Sequence, residues 1–598
     1  MTETNRTRVD EFTEPKKYTD KLTGLIFSIY IVSLPILWNI CHSLLLGKEL
    51  LIVCTLLFCS ILYAGTAISK STGFSKQKFI NISYADISIV LFSFILVFNS
   101  IKNGRLIFIP VEEWCAILAV YLLMRNIRCA DIIPETLILS GTMQSAIVLF
   151  QKTGYMKSNN EWFEITGSFG NPGPLGGFLA ICIVICLCRI YETRKQNKII
   201  HSIYIIAAGT MLTAFCFADS RAAFVATAAG CSFYFFQTIR IFLKKHPHII
   251  PIIGGILILS SILIFNYREN SANGRLLIWR VCSEMICHKP FSGYGTASFG
   301  QDYMLHQAHY FKTHPDSRFS QTADDTVYPF NEFLHILVEL GIPGLSAIGA
   351  FLISLFLSRS KNGTKRILKA GLIAYLCFSL FSYPNSVFPL FVLFGIFSGC
   401  IESRKVFKIP ISALTTGSLL ILSVLVCSVS IREIRFYYNG AKTLEKFFTG
   451  NSSETILFSD RHYEQLKYSE SFNDIYSMWL EKHPDIKKLP RLPAGCNNYC
   501  NIGKTYMLSE QYDYAEEYLK TASFMVPGKI TPNYLLWQNS LQRGDTTTAI
   551  TIAERILKQP LKAESTYTLR VKSEIRRFLE TEQGKTQVPL PNKYLASI

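Results

Sequence analysis

GSFGNPGPLGGFLAICIVICLCRI, residues 167–190, carries the reading that decides the fold. From Pro172 onward it is apolar up to Arg189, and a helix needs about 20 such residues to cross a hydrocarbon layer. Pro172 suits a first helical turn and Asn171 an N-cap, so the stretch reads as a turn that enters a membrane helix. Runs of the same kind recur at 21–41, 50–68, 84–100, 108–125, 133–152, 200–217, 222–239, 248–266, 333–357, 367–383, 386–402 and 409–430. That makes about 12–13 spans of an all-α, polytopic transmembrane helical bundle. Some contain Pro or Gly, which membrane helices tolerate.

Composition agrees. Of 598 residues, 49% are hydrophobic and 17% charged, and the mean hydropathy is +0.26; soluble chains average about 25% charged. A disordered chain is excluded, and an ordinary soluble enzyme is disfavoured. A polar stretch precedes the first span and no small-residue cleavage site follows it, so it is not a cleavable signal peptide. The net charge of +17 sits in alternate loops: Lys70/Lys76/Lys78, Arg125/Arg128, Arg189/Arg194/Lys195/Lys198, Arg240/Lys244/Lys245, Arg359/Lys361/Lys365/Arg366 and Arg404/Lys405/Lys408. By the positive-inside rule these loops and the N-terminal tail, 1–20, are cytoplasmic. The charge is then a topology signal, and nucleic acid is not a partner.

The same alternation puts the loop near 155–171, the residues around Ser220 and the long stretch 267–332 outside. With thirteen spans it also puts the tail, 431–598, outside; in a diderm bacterium that is the periplasm. The expected division is a transmembrane domain over 21–430, with 267–332 its large periplasmic loop, followed by the helical tail. Ordered loops this long are usually functional. The 17 cysteines show no zinc-ligand spacing. Cys182, Cys186 and Cys188 read as small hydrophobes in an apolar run, and Cys496 and Cys500, four apart in an expected helix, as structural.

In the tail, Tyr499, Ile502, Gly503, Tyr506, Ala515, Leu519, Ala522 and Pro527 are followed about 34 residues on by Trp537, Ala549, Ala553 and Ile556, with Pro560 one position early. This spacing resembles the tetratricopeptide repeat. Two units cannot bury a stable face alone, so the region from about 435 to 490 is expected to add degenerate units. Such a tail binds a protein partner or supports the membrane domain.

Three polar motifs fall on the outer side. The first is Gly167-Ser168-Phe169-Gly170-Asn171-Pro172. The second is Asp219-Ser220-Arg221, with an arginine at the start of a span; arginine near hydrocarbon faces a water-filled cavity or a partner. The third is Gly274-Arg275-Leu276-Leu277-Ile278-Trp279-Arg280, where Arg275 and Trp279 share a helical face. Then come His314-Pro315-Asp316-Ser317-Arg318, Asp324-Asp325 and Phe330-Asn331-Glu332-Phe333-Leu334, leading into Glu339-Leu340-Gly341.

Together these motifs resemble the O-antigen ligase and O-antigen polymerase superfamily of membrane glycosyltransferases. The tail is similar to the extension on members from the Bacteroidetes. The resemblance implies a GT-C-like fold and a metal-independent, inverting transfer with no cofactor. The donor is a glycan on undecaprenyl diphosphate, and the acceptor is lipid A–core, another glycan or a protein hydroxyl. It implies a multi-pass protein of the bacterial inner membrane, in contact with membrane lipids. Its chemistry needs cations on the leaving diphosphate, and guanidinium holds phosphate in a permanent bidentate fork. Arg221 and Arg275 are the expected clamp, with Arg280 and Arg318 in reserve. Asn171 and Asn331 are expected to orient sugar or phosphate. The acceptor hydroxyl needs a base, for which His314, Glu332, Asp324 and Asp325 are candidates. One departure matters: the family's histidine before the last Asn is here Phe330. His335, a turn further, reads as a packing or polar-network residue. Ligation to lipid A–core is the first reading, with polymerase or protein O-oligosaccharyltransferase beside it. A lipid-linked glycan flippase is the alternative from another class; it would place charges near the midplane and show repeated halves.

Overall fold

The computed structural model describes residues 14–72, 79–102, 108–127, 129–195, 197–249, 251, 269–358, 363–401, 403–410, 413–448, 452–482, 485, 487–560 and 564–583. Helices dominate among these residues, joined by loops such as 153–171 and 314–331 and one small ribbon. The chain divides into two compact units. One comprises Met1–Ile264, Lys289–Ala297 and Tyr328–Phe472; the other comprises Phe265–His288, Ser298–Val327 and Asn473–Ile598.

In the first unit every expected span is a helix except 248–266, which lies almost wholly outside the described residues. Among the described residues eight helices are long and apolar enough to cross a membrane, fewer than the expected twelve or thirteen: those within Glu14–His42, Gly47–Thr72, Tyr84–Lys102, Ile133–Lys152, Pro172–Thr193, Lys198–Ala218, Glu332–Phe356 and Ala413–Glu445. The shortfall has physical causes. The Phe108–Asn126 helix carries Glu112, Glu113 and Arg125. Arg221–Tyr234 and Phe236–Lys245 are bent by 80° at their junction and could only together make a ninth span. Gly363–Ser379 and Phe388–Cys400 are short, and every residue of Phe388–Cys400 is buried.

Pro172–Thr193 is the most enclosed of the eight. Its neighbours approach over small residues, as lipid-embedded helices require. A Cβ on Gly176 would lie 2.5 Å from the Ser220 side chain, and one on Gly177 2.4 Å from Phe378. The helices Tyr84–Lys102 and Phe108–Asn126 are tied at their basic ends: Arg125 Nη2 donates to Asp86 Oδ2 at 3.0 Å, and Tyr121 Oη donates to Asp86 Oδ1. Nearby, Phe79–Ser83 and Lys405–Pro410 form an antiparallel two-stranded ribbon with Asn81 opposite Lys408, the one addition to the all-α expectation.

Glu332–Phe356 is broken at Gly341, whose φ of 67° and ψ of −168° are open only to glycine. The break exposes carbonyls that cannot be left bare inside a membrane domain. The segment Lys289–Ala297 satisfies them: Tyr294 N donates to Val338 O at 2.9 Å and Gly295 N to Glu339 O at 3.0 Å, while Ile342 N donates back to Pro290 O at 2.8 Å.

The second unit joins two helices of the 267–332 stretch, Glu269–His288 and Phe299–Thr313, to the end of the chain. Gln307 Nε2 donates to Met525 O at 2.6 Å, and Cys496 N donates to Asp325 Oδ1 at 2.8 Å. Helices beginning at Cys496 and Tyr512 have counterparts beginning at Ile530 and Thr546, an interval of 34 residues in both cases. Gly503 lets Leu519 pack at 2.5 Å from where a Cβ would stand, and Ala515, Ala522, Ala549 and Ala553 are buried at the helix contacts.

Candidate functional site

The GSFGNP motif is held from behind by two buried glutamines of Ile133–Lys152. Gln151 Oε1 accepts from Thr166 N at 3.0 Å and Gly167 N at 2.9 Å, and Gln144 Oε1 accepts from Ser168 N at 3.1 Å. Asn171 Oδ1 then caps the next helix, accepting from Gly173 N at 2.8 Å. The second asparagine behaves alike: Asn331 Oδ1 accepts from Phe333 N and Leu334 N at 3.0 and 3.1 Å. In both the carbonyl oxygen is spent on the cap, which leaves the amide nitrogen as the group able to meet a ligand.

That second cap starts a helix with three ionisable residues near its beginning. Glu332, His335 and Glu339 lie on one face at helical spacing. His335 Nε2 is 3.2 Å from Glu339 Oε1, and its Nδ1 is 3.7 Å from Glu332 Oε2. Glu332 is 5% exposed; its Oε1 accepts from Asn385 N at 2.8 Å, and Tyr375 Oη donates to Asn385 Oδ1. Phe330, at the position of the family's histidine, has φ 52°. Its ring meets Tyr383 edge-on, and Tyr383 stacks on Tyr328 with centroids 4.7 Å apart.

Glu332, His335 and Glu339 line a cavity of about 220 Å³ together with Lys48, Glu113, Tyr328, Tyr375 and Asn385. Phe92, Trp114, Phe333 and Phe391 contribute to its apolar wall. Lys48, Glu113 and Glu332 stand near the starts of helices whose far ends lead to basic residues. The polar groups therefore gather at the end of the bundle remote from the basic loops. Ionisable residues in such a setting are costly and mark function.

Of the residues singled out from the sequence, Glu332 lines this cavity. Arg221 is half-buried at the first position of its helix, after Asp219 with φ 43°, and is not among the cavity-lining residues. Arg275, Arg280, His314, Arg318 and Asp324 belong to the second unit. There Arg275 and Trp279 are half-buried on Glu269–His288. Arg280 Nε is 3.3 Å from Glu284 Oε1. His314 Nδ1 lies 2.9 Å from Thr313 Oγ1 and 3.1 Å from Tyr310 O, with its ring stacked on Tyr310. Arg318 lies over the Phe319 ring, and Asp324 Oδ1 accepts from Asp325 N at 3.0 Å. The arginines expected as a clamp thus fall in two separate units. The sequence reading passed over His335 as network, and it missed Lys48, Glu113, Tyr375 and Asn385 as site groups. The available signal was the ionisable pair Glu112-Glu113 inside an expected span.

Fold and site define a class: a multi-pass helical membrane protein whose ionisable residues meet at a cavity within the bundle. Residues 206–349 match the family model described as O-antigen ligase, which supports the resemblance read from the motifs. The match supports a membrane glycosyltransferase-type role in glycan processing. The matched segment includes Arg221, Arg275, Arg280, His314, Arg318, Asp324, Asn331 and Glu332; it leaves out Asn171, Lys48 and Glu113. No curated protein matches the chain.

Proposed function

We propose that the protein transfers a glycan from undecaprenyl diphosphate to an acceptor hydroxyl on the periplasmic side of the bacterial inner membrane, with lipid A–core as acceptor. The observation that carries this reading is the O-antigen ligase match over 206–349. As the bond between sugar C1 and carrier breaks, negative charge grows on the diphosphate. Arg221 and Arg275 hold it, with Arg280 and Arg318 in support, and no metal is used. Charge fixed in place before the reaction contributes several kcal/mol to such a step. Asn171 and Asn331 orient sugar or phosphate through their amide nitrogens. Of the base candidates His314, Glu332 and Asp324, Glu332 is the one that lines the cavity.

Sidedness has its own support. Loop helices and tail helices share one compact unit, and segments that pack together lie on one side of a membrane. The chain between residues 327 and 473 therefore crosses an even number of times. The 34-residue interval supports a tetratricopeptide-like tail. A partner-binding tail also favours a second reading, protein O-oligosaccharyltransferase.

The test is full-length protein in nanodiscs with carrier-linked glycan and acceptor membranes from the producing strain. Arg221→Ala and Arg275→Ala are each expected to abolish transfer while membrane insertion stays intact. Full transfer by both variants overturns the clamp. A deletion strain should accumulate carrier-linked glycan and lose long-chain lipopolysaccharide; loss of glycoproteins instead selects the second reading.

A further inference from the structure

Glu113 lies in the second turn of Phe108–Asn126, at the end remote from Arg125. It lines the cavity, yet its Oε1 is shielded from solvent and has no hydrogen-bond partner among the described residues. The other two cavity carboxylates are already engaged: Glu332 with Asn385 N, and Glu339 with His335 Nε2. A buried carboxylate oxygen without a donor is costly, and an orphan of this kind in a folded protein calls for an explanation. A hydroxyl supplied by a ligand is a sufficient one.

The lining narrows the ligand. Three carboxylates line the cavity with Lys48 and His335, so the lining offers no excess of positive charge to hold an anionic diphosphate. Aromatic side chains also line it, from Phe92, Trp114, Phe333 and Phe391. Carboxylates that accept from hydroxyls, beside aromatic faces that meet C–H bonds, suit a neutral sugar ring.

We infer that this cavity is the acceptor subsite, that it takes a neutral, hydroxyl-bearing sugar, and that Glu113 receives the proton of the attacking hydroxyl. The inference rests on the transfer reading above. In the step, the acceptor O–H bond breaks and its proton passes to Glu113 Oε1. The oxygen's electron pair forms the new bond to C1 of the donor sugar. The bond from C1 to the diphosphate oxygen breaks, and its pair leaves with the carrier. Glu332, His335 and Glu339 are positioning residues that fix the charge and shape of the cavity around that hydroxyl.

The experiment compares wild type, Glu113→Gln and Glu113→Asp as full-length proteins in nanodiscs, with the same donor and acceptor membranes. Undecaprenyl diphosphate alone serves as the binding probe. Glu113→Gln, which keeps the shape, is expected to lower kcat by about 100-fold or more. Donor KM and carrier affinity stay unchanged, and Glu113→Asp recovers part of the rate. An active wild type beside an equally active Glu113→Gln overturns the assignment alone, as does a Glu113→Gln that loses carrier binding in step with turnover. A wild type that moves no glycan overturns the transfer reading and this assignment together.

Discussion

Gly341→Ala tests the break that organises the cavity helix. An added Cβ would stand 2.5 Å from Phe291 O and 2.8 Å from Pro290 O, on a residue with φ 67°. Two responses are open. If the backbone holds its conformation, an alanine in a region essentially reserved for glycine costs of order 1–3 kcal/mol, before any clash. If Lys289–Ala297 retreats, the three backbone bonds at Tyr294, Gly295 and Ile342 are lost, at about 0.5–1.5 kcal/mol each. Unpaired carbonyls weigh more where water is scarce. Across the two responses the loss is about 1–5 kcal/mol. Gly349, in the same helix, has nothing within 4 Å of its Cβ position, so Gly349→Ala should stabilise by up to about 1 kcal/mol through helix propensity. Thermal melts of the two variants in nanodiscs against wild type make the assay. A Gly341→Ala protein that melts with wild type, or with Gly349→Ala, refutes the account of the break.

Three further outcomes follow from the same reasoning. Gln151→Leu strands the amides of Thr166 and Gly167 and should cost about 2–6 kcal/mol, from about 1–3 for each buried donor left unpaired; an unchanged melting temperature would contradict the motif's support. Asn331→Asp keeps the cap but not the amide donor, so it should melt like wild type and lose transfer, whereas Asn331→Ala should also lose about 1 kcal/mol of stability; equal activity in Asn331→Asp and wild type removes the orienting role. Asp545 caps Thr546–Lys558: bonds from Thr548 and Thr547 hold its carboxyl down at about 2, below the ordinary 3.8. A depressed folded value means the cap's contribution is complete above about pH 4 and is lost as pH falls through about 2; an NMR titration of that carboxyl with its midpoint near 3.8 would show that the cap is not made.

Much of the bundle was legible from the chain because a membrane segment carries its own evidence: a long apolar run needs no partner to be recognised. Pro172–Thr193 starts where Asn171 announces its cap; Asn331, expected to orient sugar or phosphate, caps Glu332–Phe356 as well. The count of spans was less legible. Gly363–Ser379 and Phe388–Cys400 are apolar but short, and their ends are set by packing and by the Pro384–Ser386 turn between them. The 80° bend after Tyr234 has no marker of its own in the run; Arg366, which donates to Tyr234 O, comes from far along the chain.

The cavity belongs to tertiary structure. The chain by itself determined that helices form and which ends are basic. It said nothing of Lys48, Glu113, Tyr375 and Asn385 meeting His335 around one space, because each is an isolated polar residue in a separate element. Cα order along a sequence records local periodicity, whereas a polar site inside a bundle is made by which helix faces which. Only packing settles that: small residues that let helices close in, and a glycine break that lets the Lys289–Ala297 segment bond into a helix.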